Sequence, residues 1–333
     1  MGKKIGVMTS GGDAPGMNPA IRSVVRTAIY YDMEVVGIKH GYSGMIKGDF
    51  EPLYRRSVAD IIHRGGTILH SARCPEFETV DGRKKAIENL EKEGIDGVVI
   101  IGGDGSLRGA EELAEESDVK VIGIPGTIDN DLGGTDYCIG FDTAMNTVID
   151  GVNKIRDTAT SHERTFIIEV MGRHSGDLAL MSGLASGAEY ILIPEIEFTF
   201  EDVCNKIQQG YDRGKLHSII MVAEGVDGDL KPNRKQSESP AFDLSNEIEE
   251  RTGLETRVII LGHLQRGGSP TAMDRILASR LGYEAVKLLR DGKNKLMVGY
   301  RDHDIISTSL NDVLKEEVEI NHEIVELAHI LSL

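Results

Sequence analysis

The stretch KKIGVMTSGGDAPGMNPAIR, residues 3–22, decides the fold. Its first residues, KKIGVM, form an apolar run that predicts a short strand. A helix is expected to begin near Asn18, with Pro19 at its first position. The glycine-rich loop TSGGDAPGMN, residues 9–18, lies between the two. A strand, a glycine loop and a helix in this order indicate an α/β unit.

The same pattern recurs along the first half of the chain. Strands are predicted at EVVGIK (34–39), DGVVII (96–101) and KVIGIP (120–125), with helices near 81–94 and 106–116. These runs are almost continuously apolar, as expected when helices cover both faces of a parallel sheet. The sequence therefore predicts an α/β fold of doubly wound type.

A second series of alternating elements begins near residue 140. The predicted elements are helix 142–160, strand 165–171, helix 175–187, strand 190–193, helix 200–213, strand 217–223, strand 257–262 and helix 270–291. Residues 226–241 are polar with two prolines and predict an exposed loop, and the tail 311–331 is predicted helical. A chain of 333 residues suggests about two domains, at roughly 100–200 residues each.

Charge and composition exclude several classes of function. The chain has 37 Lys and Arg against 54 Asp and Glu, a net charge of −17, which argues against nucleic-acid or membrane-surface binding. The cysteines Cys74, Cys138 and Cys204 form neither a disulfide framework nor a zinc pattern and fit a reducing compartment. No signal peptide or long apolar run is present, so a soluble cytoplasmic protein is expected.

Three glycine-rich segments follow predicted strands, namely residues 9–18, GGDGS (102–106) and PGTIDND (125–131). In an open parallel sheet such loops line the ligand crevice, and their backbone N–H groups can hold phosphate oxygens. Each loop alone could be a simple tight turn. The P-loop motif is absent, and Asp104 inside the second turn suits a bridging Mg²⁺ better than a dinucleotide.

Paired carboxylates follow in the third loop. Asp129 and Asp131 are two residues apart, so one could take a proton from a sugar hydroxyl while the other orients a metal or the loop. A solvated Asx turn is the alternative.

Cationic side chains are concentrated in the second half. They stand at or near predicted strand ends, and a cation there can bind phosphate or stabilise a moving phosphoryl group. These residues are Arg164, Arg173, Arg257, His263 and Arg266. For any single arginine a surface ion pair is the alternative.

The motifs together resemble one family. In order, GGDAPGMN, SARCPEF, IGGDGS, GTIDND, EVMGRHSGD and LGHLQRGGSP are similar to motifs of the bacterial ATP-dependent 6-phosphofructokinases. The resemblance covers nearly the whole chain. It implies two Rossmann-like domains with mostly parallel sheets and helices on both faces. Residues 1–140 plus 265–310 would form a nucleotide-binding domain, and 141–264 plus 311–333 a sugar-phosphate-binding domain.

The resemblance also implies the reaction, in which a phosphoryl group passes from MgATP to the 1-hydroxyl of fructose 6-phosphate. The nucleotide would contact Gly12, Arg73, Cys74, Gly103, Asp104, Gly105 and Ser106, with Asp104 as the metal ligand. The sugar phosphate would contact Thr127, Ile128, Asp129, Arg164, Met171, Gly172, Arg173, Glu224, Arg257, His263 and Arg266. The catalytic set would be Asp129 as base, with Arg173, Thr127 and Asp104.

Regulation and assembly are further implications of the resemblance. Family members are homotetramers with shared active sites, so Arg164 and Arg257 would reach a neighbouring subunit. ADP or phosphoenolpyruvate would bind as effector at Arg22, Arg26, Arg55, Arg156, Gly187, Glu189, Arg213, Lys215 and His217. From the residues alone, Arg22 and Arg26 share one helix face, which makes an anion between them plausible, with a solvated face as the alternative.

Three other functions are alternatives to this one. Diphosphate-dependent relatives resemble the chain, but their pattern has a carboxylate at Gly105 and a lysine at Gly126. A nicotinamide or lipid kinase would share only the GGDG turn. A non-catalytic metabolite sensor would not need a positioned base. Cys74 departs from the family pattern, which has an aromatic residue beside the nucleotide.

Overall fold

The computed structural model describes residues 3–226 and 239–332. The chain divides into two compact units, one of Met1–Thr143 and Arg266–Val318 and the other of Ala144–Gln265 and Glu319–Leu333. The domain boundaries predicted after residues 140 and 310 lie after residues 143 and 318 in the structure. The later end arises because Leu310 and Val313 are buried in the core of the first unit. Of the predicted loop 226–241, residues 227–238 lie outside the described part.

Strands and helices alternate along the described residues. The strands are β1 (Lys4–Thr9), β2 (Glu34–Ile38), β3 (Phe50–Pro52), β4 (Gly97–Gly102), β5 (Lys120–Pro125), β6 (Thr165–Val170), β7 (Tyr190–Leu192), β8 (Ser218–Ala223), β9 (Thr256–Ile260), β10 (Leu296–Arg301) and β11 (Asp304–Ser309). The helices are α1 (Met17–Tyr30), α2 (Gly41–Lys47), α3 (Val80–Glu93), α4 (Asp104–Glu116), α5 (Phe141–His162), α6 (Asp177–Ser186), α7 (Phe200–Asp212), α8 (Pro240–Thr252), α9 (Ala272–Arg290), α10 (Leu310–Val313) and α11 (His322–Leu331).

The first unit contains a seven-stranded sheet in the order β11-β10-β5-β4-β1-β2-β3. Five neighbouring strands, β10, β5, β4, β1 and β2, run parallel, whereas the edge strands β3 and β11 are antiparallel to their partners. All six residues of β4 are buried, as its continuous apolar run predicts. The helices α3 and α4 contribute Leu90, Leu107 and Leu113 to the core beside this sheet.

The second unit contains a four-stranded sheet in the order β7-β8-β6-β9, and its neighbouring strands are all parallel. All residues of β6 and β8 are buried. The α/β fold with mostly parallel sheets is thus confirmed. Within the described ranges, no helix is long and apolar enough to cross a membrane.

The predicted helical tail is wrong in its middle. Only α10 and α11 are helical there, and residues 314–321 between them are not. Asn321 caps the N-terminus of α11, because its side chain accepts hydrogen bonds from the backbone N–H groups of Glu323 and Ile324. The hairpin of β10 and β11, the short elements α2 and β3, and the 13-residue helix α8 were not predicted.

A buried carboxylate joins α9 to the start of α5 in the first unit. Asp274 is 1% exposed. Its Oδ1 accepts the N–H of Gly140 at 2.8 Å, and its Oδ2 accepts the N–H and hydroxyl of Thr143 at 2.8 and 2.5 Å. Burial raises the pKa of Asp274 to about 6, these hydrogen bonds oppose the rise, and Asp142 adds to it.

The raised pKa predicts a pH-dependent stability. A carboxyl group with a higher pKa in the folded than in the unfolded chain stabilises the fold most below pH 3.8, and that contribution disappears as the pH rises to about 6. At 1.36 kcal/mol per pKa unit the loss is roughly 3 kcal/mol. Urea unfolding at several pH values should show this loss in the parent protein but not in Asp274→Asn. If the free energy of unfolding depended on pH in the same way in both proteins, the raised pKa of Asp274 would be contradicted.

Candidate active site

Three glycine loops meet at one edge of the sheet in the first unit. Parallel pairing sets Thr9 beside Ile101 and Gly102 beside Pro125, so β1, β4 and β5 end together. The chain just beyond the strands stays paired, because Ser10 N–H donates to the Ile101 carbonyl and Gly126 N–H to the Gly102 carbonyl, each at 3.0 Å. The three predicted phosphate-binding segments are therefore neighbours.

In the first loop, residues 9–18, Gly11 and Gly12 are exposed. A side chain at Gly12 would lie 2.7 Å from Nη1 of Arg266, whose guanidinium also donates to the Asp13 carbonyl at 3.3 Å. The Ser71 hydroxyl donates to the Gly11 carbonyl at 2.5 Å, which ties the 71–74 segment to this loop. Arg266, which was predicted to contact the sugar phosphate, thus places its cation beside the exposed backbone of Gly12, where it favours an anion.

The second turn ends in a helix N-terminus. Asp104 is the first residue of α4, and its side chain is 43% exposed and pairs with Arg108 at 2.9 Å. The hydrogen bond that the Arg108 guanidinium donates to this carboxylate raises the pKa of Arg108. A side chain added at Gly105 would meet no atom within 4 Å. Ser106 is buried, and its carbonyl accepts the Tyr42 hydroxyl at 2.6 Å.

The third turn holds a buried carboxylate. Asp129 is 4% exposed, and its backbone N–H donates to the Thr127 hydroxyl at 3.1 Å. Ile128 is fully buried. A side chain at Gly103 would lie 3.4 Å from the Thr127 side chain, so the second and third turns are in close contact. The predicted residues Gly103, Thr127 and Asp129 are therefore brought together.

An aromatic pair beside the second turn was not predicted from the sequence. Cys74 precedes a short 3-10 helix and packs against the core, while Arg73 is exposed. Phe77 in that helix stacks on Tyr42 with ring centroids 3.9 Å apart. The motif SARCPEF contains Phe77, and its Phe was the available signal.

The second unit gathers a different set of predicted residues at the carboxyl ends of β6 and β8. Met171 is buried and Arg173 exposed, and Gly172 has φ +144° and Arg173 φ +54°. Glu224 holds this turn, because its Oε1 accepts the N–H groups of Gly172 at 3.3 Å and Arg173 at 2.9 Å. A side chain at Gly225 would collide with the Arg173 carbonyl, so glycine is required there.

A buried glutamine joins the β6 end to the segment after β9. Gln265 is fully buried, and its Oε1 accepts Met171 N–H at 3.2 Å while its Nε2 donates to the Gly262 carbonyl at 2.9 Å. His263, in the same segment, is exposed. Sequence reasoning did not select Gln265, because only its complete burial distinguishes it from its neighbours.

Arg164 and Arg257 lie at the opposite edge of this sheet. Arg164 precedes β6 and Arg257 is the second residue of β9, so both are at the amino ends of parallel strands. Both pair with Glu255, Arg164 at 3.0 Å. Within the second unit they are therefore not brought together with Met171, Arg173 and Glu224.

The predicted effector residues fall in both units. In the first, burial and the neighbouring Arg26 lower the pKa of Arg22, and Arg55 lies beyond β3. In the second, Arg156 donates to the Ser186 carbonyl at the end of α6, and Glu189 pairs with Lys215 at 2.6 Å. Gly187 directly follows α6, Arg213 directly follows α7, and His217 directly precedes β8.

The donor set fits a weakly held hard cation. No cluster of three or more His, Cys, Asp or Glu side chains suited to a metal occurs in residues 3–226 and 239–332. One exposed carboxylate, Asp104, beside glycine loops matches the way Mg²⁺ binds through one or two carboxylates and substrate phosphates.

The sequence matches a known family and its members. Residues 4–289 match the family described as Phosphofructokinase. The chain is 62% identical over 331 residues to the ATP-dependent 6-phosphofructokinase of Halothermothrix orenii, with 99% of this chain and 100% of that protein covered. It is 56% identical over the same length and coverage to the ATP-dependent 6-phosphofructokinase of Bacillus velezensis.

Solved structures agree with the sequence comparison. The phosphofructokinase from Saccharomyces cerevisiae matches with a TM-score of 0.88 and 38% identity over 94% of this chain, which spans 45% of the yeast chain. The pyrophosphate-dependent phosphofructokinase from Marinobacter aquaeolei matches with a TM-score of 0.83 and 25% identity, covering 96% of this chain and 86% of that one.

Proposed function

The chain belongs to the phosphofructokinase family, and we propose that it transfers the terminal phosphoryl group of ATP to the 1-hydroxyl of fructose 6-phosphate. The products are fructose 1,6-bisphosphate and ADP, and the reaction is a step of glycolysis. The observation that carries this function is the 62% identity to an ATP-dependent member across 99% of the chain. The adjacent glycine turns and the buried Asp129 supply a physical basis for it.

The first unit is the one that would bind the nucleotide. We assign the phosphates of the nucleotide to the backbone of Gly12 and Gly103–Ser106, and the nucleoside to the neighbourhood of Arg73 and Cys74. The α4 N-terminus favours an anion there. Asp104 would hold Mg²⁺, which when bound neutralises phosphate charge and leaves the terminal phosphorus open to attack. Asp104 must then exchange Arg108 for the cation, at a modest cost because exposed ion pairs of this kind contribute little.

The base is Asp129. A carboxylate that is 4% exposed and lies beside the nucleotide turn can take the proton of the sugar 1-hydroxyl as that oxygen attacks phosphorus. Thr127 supports this role, since its hydroxyl accepts the Asp129 N–H and fixes the turn. Arg173 would stabilise the charge on the moving phosphoryl group.

Sugar recognition involves the strand ends of the second unit. The family resemblance assigns Met171, Gly172, Glu224 and Ile128 to the sugar. His263 and Arg266 would bind the 6-phosphate, which suits a guanidinium fork and an exposed imidazole. Arg164 and Arg257 stand apart from this set, which supports the expectation that they serve a neighbouring subunit of a homotetramer.

Regulation by ADP or phosphoenolpyruvate rests on clustered cations. The pKa of Arg22 is lowered by burial and by Arg26, so an anion would relieve an unfavourable arrangement. Glu189 beside Lys215 could hold a cation that accompanies a nucleotide. The cytoplasm is the expected location, because ATP and sugar phosphates are found there and three free cysteines fit a reducing compartment.

ATP is favoured over diphosphate by the space at Gly105. A side chain added there would meet no atom within 4 Å, so a nucleotide phosphate has room. Gly126, where the diphosphate pattern has lysine, is also glycine. A non-catalytic sensor is the second candidate, but it would have no use for a buried carboxylate next to the nucleotide turn.

Asp129→Ser tests the base. Turnover should fall by about 10²–10⁴-fold while substrate binding is largely retained, since a general base contributes about that much. The matched control is Asp118→Ser, the same change at an exposed position between α4 and β5, and it should leave turnover unchanged. Coupled-assay kinetics and direct binding decide the matter, and near-parental turnover in Asp129→Ser would refute the assignment.

Gly105→Asp tests the nucleotide pocket. The new carboxylate would occupy phosphate space with like charge, so kcat/KM for ATP should fall by at least about 10²-fold. Gly105→Ala is the control, because the added methyl group contacts nothing and should change this ratio only a few-fold. Equal effects of Ala and Asp, or full ATP activity in Gly105→Asp, would move the nucleotide elsewhere.

A further inference from the structure

The side chain of Asp274 accepts hydrogen bonds from Gly140 and Thr143, which are not among the predicted site residues. Its carboxylate is the buried acceptor of three donors, two from backbone N–H groups and one from the Thr143 hydroxyl. An isolated buried carboxylate is costly, and apolar packing often gives equal or better stability. Such a group therefore needs a reason beyond filling space.

The segment that Asp274 holds is the one that supports the base turn. Gly140 N–H binds the carboxylate, and the preceding Ile139 donates to the Pro125 carbonyl at 3.0 Å and bridges Gly126. One residue earlier, Cys138 N–H donates to Oδ1 of Asn130 at 2.7 Å. Residues 125–130, which include Asp129, are thus attached at two points to a segment anchored by Asp274.

The same segment packs against the first glycine loop. Gly140 has φ +103°, and a side chain there would lie 2.6 Å from Ala14. A side chain at Gly16 would lie 2.4 Å from Ile139. The segment therefore fits between the nucleotide loop and the base turn with no spare room, and a shift of it would displace both.

A second set of hydrogen bonds fixes Asp274 itself. Its backbone N–H donates to the Thr271 hydroxyl at 3.2 Å, and that hydroxyl donates to Asp142 at 2.5 Å. Thr271 N–H donates to the Thr143 hydroxyl at 3.0 Å. One hydrogen-bond network therefore links the start of α9 to the start of α5, with Asp274 at its centre.

We propose that Asp274 is a positioning residue for phosphoryl transfer, which fixes residues 138–143 and through them sets the place of Asp129. The role rests on the proposed function of Asp129 as base. A carboxylate suits this positioning role because both of its oxygens accept hydrogen bonds, one from Gly140 and the other from Thr143. An asparagine would present an N–H₂ donor to one of these N–H groups.

The first experiment separates positioning from stability. Asp274→Asn should lower kcat by about 10²-fold, because a small misplacement of a reacting group has that effect, with KM for both substrates changed only a few-fold. Leu90→Ala is the control, since Leu90 is fully buried in α3 away from this network. It should lower the melting temperature by at least about 4 °C and leave kcat unchanged.

The second experiment asks whether Asp274 acts through Asp129. In Asp129→Ser/Asp274→Asn, kcat should be no lower than in Asp129→Ser alone, because a misplaced base costs nothing once the base is gone. Multiplying effects, or a folded Asp274→Asn with parental kcat, would overturn the proposal. Near-parental turnover in Asp129→Ser would instead defeat the proposed base, a failure that is seen without any change at Asp274.

Thr143→Val keeps the test decisive where Asp274→Asn does not fold. It removes, at nearly constant volume, the hydroxyl that donates to Asp274 and accepts Thr271 N–H, and it leaves the two backbone donors on the carboxylate. A folded Thr143→Val should lose about 10-fold in kcat, and Thr143→Ser should restore it. A parental kcat in Thr143→Val, or no recovery with serine, would count against Asp274 as a positioning residue.

Discussion

The parallel pairing of β1, β4 and β5 is the constraint on which the first unit depends. Parallel strands end at the same edge, so three turns far apart in sequence become neighbours. Each turn follows a strand buried on both faces and cannot shift along it without exposing apolar residues. Glycines in the turns let backbone groups approach a ligand. A stable core thus fixes the geometry of a polar site.

Electrostatics must act locally in a chain of net charge −17. Anionic substrates would be repelled by the protein as a whole, so nearby cations and helix N-termini have to provide the attraction. Arg266 beside Gly12 and the N-terminus of α4 at Asp104 do so in the first unit. Arg108 balances the charge of the Asp104 carboxylate.

The sequence predicted the fold class and most elements because apolar runs and glycine turns are local signals. It failed where tertiary contacts decide: residues 314–321 are mostly polar and helix-compatible yet not helical, and the β10–β11 hairpin carries mixed side chains. The motif GTIDND contains Asp129, and the family resemblance selected Glu224. Asp274 was missed because its partners lie more than 130 residues away, although Thr271 three residues before it marks a helix start.

The direct test of ATP-dependent transfer is ³¹P NMR of the unmodified protein with Mg²⁺ and fructose 6-phosphate, given either ATP or diphosphate. With ATP, a second phosphomonoester on carbon 1 should appear together with ADP, and with diphosphate the spectrum should not change. A new phosphomonoester with diphosphate alone, or bound ATP without any product, would contradict the account.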